Sequence, residues 1–273
     1  MRVIVIPIGG LANRMRVIDS VANLREEGCK VTVLWRKDWG LGARFDSIFE
    51  PCEFVKDIEK YPTLTNIAYK IYTHQRLNWL RVLLQNLHIL LFLSEDKMTE
   101  QRDFANNHSK FHYLFTIIRS WEYFYEKPEF HNECFILKQN PVYDSLKERI
   151  TQHTVGVHIR RTDNIWSVEN SPLELFEEAM KLQLNKDPEA NFLVCSDDEN
   201  VKDYFRNSNK WAGKVFSPDG ELNRGSESGI LQAAGEMFAL SSTRLILGSF
   251  WSSFGEIASR IGNTELQIVK KDD

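Results

Sequence analysis

The chain has 273 residues, 42% hydrophobic and 26% charged, a balance that excludes disorder and suits one large α/β domain or two Rossmann-sized halves. With 34 basic against 38 acidic residues the formal net charge is -4, which excludes a broadly basic surface for nucleic acid. Any anion must therefore be held locally, by a few placed arginines and backbone amides.

The opening MRVIVIPIGG is too short an apolar run for a signal peptide, lacks a small-residue cleavage site and flows into a helical pattern. Residues 3–8 read as a first strand, Gly9-Gly10 as a turn, and Met15, Ile18, Val21, Ala22 and Leu24 as one helical face closed by Gly28. VTVLW (31–35) is the next strand, which makes a βαβ unit. Residues 60–133 read as helical and irregular, rich in aromatics and histidines, with few clean strands. Within them LNWLRVLLQNLHILLFL (77–93) is the most apolar stretch, yet too short and too interrupted for a comfortable membrane span. A buried helix is expected there, with peripheral membrane or partner contact as the alternative. Cys29, Cys52, Cys134 and Cys195 have no CxxC or metal spacing and are expected as free buried thiols in a cytoplasmic protein.

The second half is more regular. Strand 155–159 precedes a polar loop and a helix around 172–185; strand 192–195 precedes a helix from about 197 to 207. A short strand at 215–216, a helix over 226–241, strand 245–249, helix 254–261 and a last strand near 266–269 follow. Alternation of this kind predicts an α/β fold, two Rossmann-like halves facing each other across a cleft. The halves are expected at 1–140, including the region at about 60–133, and at 141–273.

Ligands in open parallel sheets bind beyond the carboxyl ends of strands, and four polar clusters fall at such ends. They are Gly9-Gly10 to Asn13-Arg14, His158 to Asp163, Ser196-Asp197-Asp198, and Ser249 to Ser253. Arg160 and Arg161 fall on alternate faces if strand geometry persists, so one can enter a cleft while the other anchors the loop. The fork of an arginine suits a diphosphate, although two surface arginines in a salt bridge explain the pair as well. His158 ends an apolar strand, where a satisfied structural histidine is the competing outcome. Ser196 and Glu199 have capping-box spacing, with Asp197 and Asp198 in the helix's first turn, and either aspartate could also touch a base or ribose. Ser253 and Glu256 repeat that spacing, while a helix N-terminus with free amides is also an anion site for Ser252 and Ser253. GGLANR lacks the dinucleotide fingerprint, and there is neither a GxSxG elbow nor an HExxH pair, so nicotinamide, serine-nucleophile and metal chemistry are disfavoured.

Together these clusters resemble the fucosyltransferases that use GDP-fucose, nearest to the α1,6-fucosyltransferases of N-glycan cores and nodulation factors and more distantly to the protein O-fucosyltransferases. VHIRRTD (157–163), LVCSDDE (193–199), the stretch from Asn223 to Gly262 and the opening from Gly9 to Arg36 carry the resemblance in order. It implies a GT-B-like fold and an inverting, metal-independent glycosyltransferase with no cofactor beyond its donor substrate, GDP-fucose, and a carbohydrate acceptor. It further implies that Arg160 neutralises the β-phosphate and that Arg161 supports the loop. His158 and Glu236 would lie near the nucleoside, with Asp197 beside the donor. Ser252 and Ser253 would hold the diphosphate, and Gly10 with Asn13 would approach from the N-terminal half. Glu169, or else Asp163, is the expected acceptor-deprotonating base. This sequence has Asn164 where the α1,6 enzymes carry a Lys, Val168 where they carry an acid, and Glu236 where an Asp is usual. Two other readings stand beside this one: a glycosyltransferase with another nucleotide sugar, and a noncatalytic nucleotide-sugar-binding protein.

Overall fold

The computed structural model describes residues 2–58 and 75–271. The chain divides into two compact units, Met1–Lys138 and Gln139–Asp273. Each is built on a parallel sheet of five strands among the described residues.

In the first unit β1 (Arg2–Pro7) is a β-branched run buried at every position after Arg2, as a strand covered on both faces requires. Helix α1 (Leu11–Glu26) leads from it to β2 (Lys30–Trp35), followed by α2 (Phe45–Ile48) and β3 (Val55–Asp57). Strand β4 (Leu90–Leu93) and helix α4 (Met98–Asn107) lead to β5 (Phe115–Ser120), and the sheet order is β3-β2-β1-β5-β4.

The reading of 60–133 as helical with few strands is corrected here, because this stretch supplies two of the five strands, one of them beside β1. Part of that reading, residues 60–74, lies outside the described residues. The single buried helix expected over 77–93 is also corrected. Helix α3 (Asn78–Asn86) has no buried residue, with Trp79 65% exposed. His88 then adopts φ 53°, His88 N donates to Gln85 O and Ile89 N to Leu84 O. That pair of bonds around a left-handed residue is a Schellman closure, normally built on Gly, and it releases LLFL as a strand. No Gly or Pro marks the change in the sequence.

In the second unit α5 (Pro141–Lys147) is capped by Asn140, whose Oδ1 accepts from Val142 N and Tyr143 N. The strands are β6 (Thr154–Ile159), β7 (Asn191–Ser196), β8 (Val215–Phe216), β9 (Leu245–Ser249) and β10 (Glu265–Val269). Between them lie α6 (Ile165–Asn170), α7 (Leu173–Lys186), α8 (Glu199–Asn207), α9 (Glu227–Ser241) and α10 (Ser253–Gly262). The sheet order is β10-β9-β6-β7-β8. The chain winds outward from β6 through β7 to β8, then crosses back to β9 on the other side. The strand order therefore reverses between β6 and β9, and their carboxyl ends flank the crevice such sheets use for ligands.

Three local readings shift. The loop after β6 holds the helix α6, started by Asn164, whose Oδ1 accepts from Ser167 N at 3.1 Å. At six residues α6 is too short for a periodic signal. The Ser196–Glu199 capping box does not form, because Ser196 Oγ donates across the sheet to Ile159 O and Asp198 caps α8 instead. Ser253 is the first residue of α10, and Ser252 occupies the cap position.

Candidate active site

The polar cluster after β6 is fixed by main-chain donors before any side chain points outward. Arg160 N donates to Ser249 Oγ at 3.0 Å, which ties the end of β6 to the end of β9. Arg161 N donates to Asp197 Oδ1 at 2.8 Å, and Thr162 gives both its N–H and its hydroxyl to Asp197 Oδ2. Asp197 therefore holds the turn from the end of β7. Burial pushes its carboxyl pKa up, but the Arg160 guanidinium and the Thr162 and Arg161 donors hold it below the ordinary value.

The two adjacent arginines have different partners. Arg161 donates from Nη1 to Arg160 O at 2.9 Å and from Nη2 to Ser171 O at 2.8 Å, bracing two loops. Arg160 pairs with Asp197 at 3.0 Å and with Asp163, and its side chain is 19% exposed. Asp163 is also paired with Arg224 at 3.0 Å. Two guanidinium groups and two carboxylates thus share one patch. Arg224 went unnoticed in the sequence: it lies in a loop with no periodic context, and only its place in the stretch from Asn223 could have flagged it.

His158 is buried, and its ring stacks on Phe254 of α10 with centroids 4.7 Å apart. Burial lowers its pKa to about 4, Asp197 opposing and Arg160 adding to the effect, so the imidazole is neutral at neutral pH. Its Nδ1 is a buried ring nitrogen without a hydrogen-bond partner. A Cβ on Gly255 would come within 3.9 Å of that nitrogen, an ordinary van der Waals contact.

The turn into α10 carries Ser252 and Ser253. Trp251, just before them, takes φ 56°, a left-handed conformation that costs a bulky side chain energy and needs surrounding support. The support comes from α6 and its flanks: Asn164 Nδ2 donates to Trp251 O, Ser167 Oγ to Phe250 O, and Phe250 N to Ser171 Oγ. Glu169 lies on α6 with its side chain exposed. Glu236, by contrast, sits in a separate buried cluster, accepting from Lys202 Nζ at 3.2 Å and Gln232 Nε2 at 2.9 Å. Burial raises its pKa against the pull of Lys202.

Gly10 and Asn13 belong to the first unit. Gly10 is the cap residue of α1, and the Asn13 side chain packs over Gly9, where a Cβ would meet Nδ2 at 2.9 Å. Arg14 behind them is fully buried, with Nε on Gly9 O at 2.9 Å and Nη2 on Asp38 at 2.7 Å, and it fixes the glycine turn. Among the described residues no group of three or more His, Cys, Asp or Glu side chains is placed to hold a metal ion. No helix among them is long and apolar enough to cross a membrane.

No protein-family model and no curated protein matches the sequence. Solved structures do match the fold. The NodZ alpha-1,6-fucosyltransferase soaked with GDP-fucose aligns with a TM-score of 0.62 at 15% identity, over 95% of this chain and 92% of that one. Arabidopsis thaliana FUT1, a mutant in complex with GDP, aligns with a TM-score of 0.61 at 17% identity, over 100% of this chain and 71% of that one. POFUT1 in complex with GDP aligns with a TM-score of 0.53 at 8% identity, over 98% of both chains. The structural neighbours are thus of the GDP-fucose fucosyltransferase superfamily that the sequence resembles, and the fold is α/β and GT-B-like with two Rossmann-like halves.

Proposed function

We propose that the protein is an inverting glycosyltransferase that moves L-fucose from GDP-fucose to a glycan acceptor, without a metal. The observation that carries the reading is the position of Arg160. It places a guanidinium beyond the carboxyl end of β6, at the strand-order reversal, with the N-terminus of α10 beyond the adjacent β9. A helix N-terminus and a guanidinium together favour a diphosphate and stabilise the charge it gains on leaving.

In this mechanism Asp163 is the exchangeable counter-ion of Arg160 and Asp197 the fixed one, because their side chains are 58% and 15% exposed. The β-phosphate takes the fork from Asp163, which stays paired with Arg224. The neutral His158 lies near the nucleoside, and Ser252 and Ser253 offer hydroxyls to the diphosphate. Arg161 and Asp197 act as positioning residues for Arg160. Glu169 on α6 is the first candidate for the base that deprotonates the acceptor hydroxyl, and Asp163 the second. Glu236 acts through the buried cluster it forms with Lys202 and Gln232. The free thiols support a cytoplasmic location.

Nucleotides separate this reading from one with a different donor. At 100 times its dissociation constant a ligand adds about 2.7 kcal/mol, a rise of several degrees in melting temperature. GDP should give that rise and UDP should not; a response to UDP alone would replace the donor class.

A further inference from the structure

Cys52 and Cys134 are 82 positions apart in the sequence, yet the segments that carry them run side by side. Glu50 N donates to Ile136 O at 2.8 Å and Lys138 N to Ile48 O at 3.0 Å, around an antiparallel bridge between Phe49 and Leu137. Cys52 and Cys134 each lie three positions from that bridge, on the same side of it along the two segments. On the buried side Phe49 and Phe135 fix the two segments, with ring centroids 5.6 Å apart. The backbone ladder ends before the cysteines, because Cys134 N donates to His131 O and Cys52 O accepts from Val55 N. The two side chains are close enough for each to shift the other's ionisation, Cys52 downward and Cys134 upward.

We propose that Cys52 and Cys134 are a modification site, a dithiol that closes reversibly to a disulfide by exchange with a low-molecular-weight disulfide such as oxidised glutathione. Cys52, half-buried, is the attacking thiol, and the buried Cys134 resolves. The Cys134 side chain holds the Cys52 thiol down to about 7, while Cys52 and burial push Cys134 up. A reachable thiol that ionises readily beside a resolving partner is the arrangement of reversible thiol sensors. In the first step the Cys52 thiolate attacks one sulfur of the oxidant, forming a mixed disulfide and releasing one glutathione thiolate. Cys134 then loses its proton, the Cys52 negative charge that opposed this being gone, and attacks Cys52 Sγ. The Cys52–glutathione bond breaks and the second glutathione leaves as thiolate. Two protein thiols are oxidised, one glutathione disulfide is reduced to two thiols, and the two protons pass to them. The bond clamps segment 48–52 to segment 134–138, whose last residue closes the first unit, and it encloses β3, β4 and β5.

The test treats the folded full-length chain, carrying Cys29→Ser to remove the other half-buried thiol, with oxidised glutathione. The expected product is lighter by two hydrogens and yields a Cys52–Cys134 linked peptide on non-reducing digestion. Its melting temperature rises by about 5 °C or more, and dithiothreitol reverses the rise. With Cys134→Ser added, the reaction should stop at a glutathione adduct on Cys52. A persistent adduct on Cys52 with Cys134 intact, or no modification of either thiol, would overturn the proposal. If Cys134→Ser does not fold, Cys52→Ser replaces it: no melting shift with oxidant is expected, and an undiminished shift overturns the pairing.

Discussion

Arg160 and Arg161 differ by one position and not at all in chemistry, so their separate roles come from partners. Arg161 donates to two main-chain carbonyls, whereas Arg160 faces carboxylates of unequal exposure. If Asp163 competes with a phosphate for Arg160, Asp163→Asn should tighten GDP binding by about two- to fivefold, the scale of an exposed ion pair, which calorimetry would read. Weaker binding would show instead that Asp163 orders the site. His158 makes a second prediction. Because burial depresses its pKa from 6.5 to about 4, the unfolded chain binds a proton between those values that the folded chain refuses. Stability should fall by about 3 kcal/mol as pH drops through that window, and His158→Asn should flatten the slope in urea denaturation. His131, whose pKa is net raised by Asp19 and Glu26 against burial, loses its contribution as pH rises above 6.5, outside that window. An unchanged slope between pH 6.5 and 4 in the variant would contradict a buried neutral imidazole.

At the scale of elements, β6 is central because its neighbours come close. A Cβ on Gly156 would meet Leu240 Cδ2 at 2.7 Å and Thr243 Oγ1 at 2.8 Å, so α9 and the turn after it lie directly on the strand that carries the arginines. Gly156→Ala should cost about 1–3 kcal/mol by overpacking, checked by the urea midpoint; a neutral effect would mean that α9 shifts freely. The strands and helices of the second unit were legible in the sequence because apolar runs there alternate with amphipathic ones and are punctuated by glycines. What was not legible has a local cause in each case. LLFL follows α3 with no Gly or Pro between them, α6 is shorter than two turns, and the cap of α8 depends on the Ser196 hydroxyl being used across the sheet. Thr116, Ile117 and Ile118 of β5 do form a β-branched run, a signal obscured by the surrounding aromatics.

At the scale of the whole molecule, strand order turns separate motifs into a site. The sequence places charged residues after β6 and serines after β9, but only the order β10-β9-β6-β7-β8 makes those ends neighbours. The fold resemblance in the sequence agrees with the structural neighbours, although identities of 8–17% leave residue roles to be tested one at a time. The most direct test is the rate at which GDP is released from GDP-fucose by the wild-type chain and by Arg160→Lys, which keeps the charge and removes the bidentate fork. The account predicts release by the wild type and a loss of about 10²–10³-fold or more in the variant, as for removal of one preorganised donor. Equal rates in the two proteins, or no release by the wild type while a UDP-sugar is consumed, would contradict it.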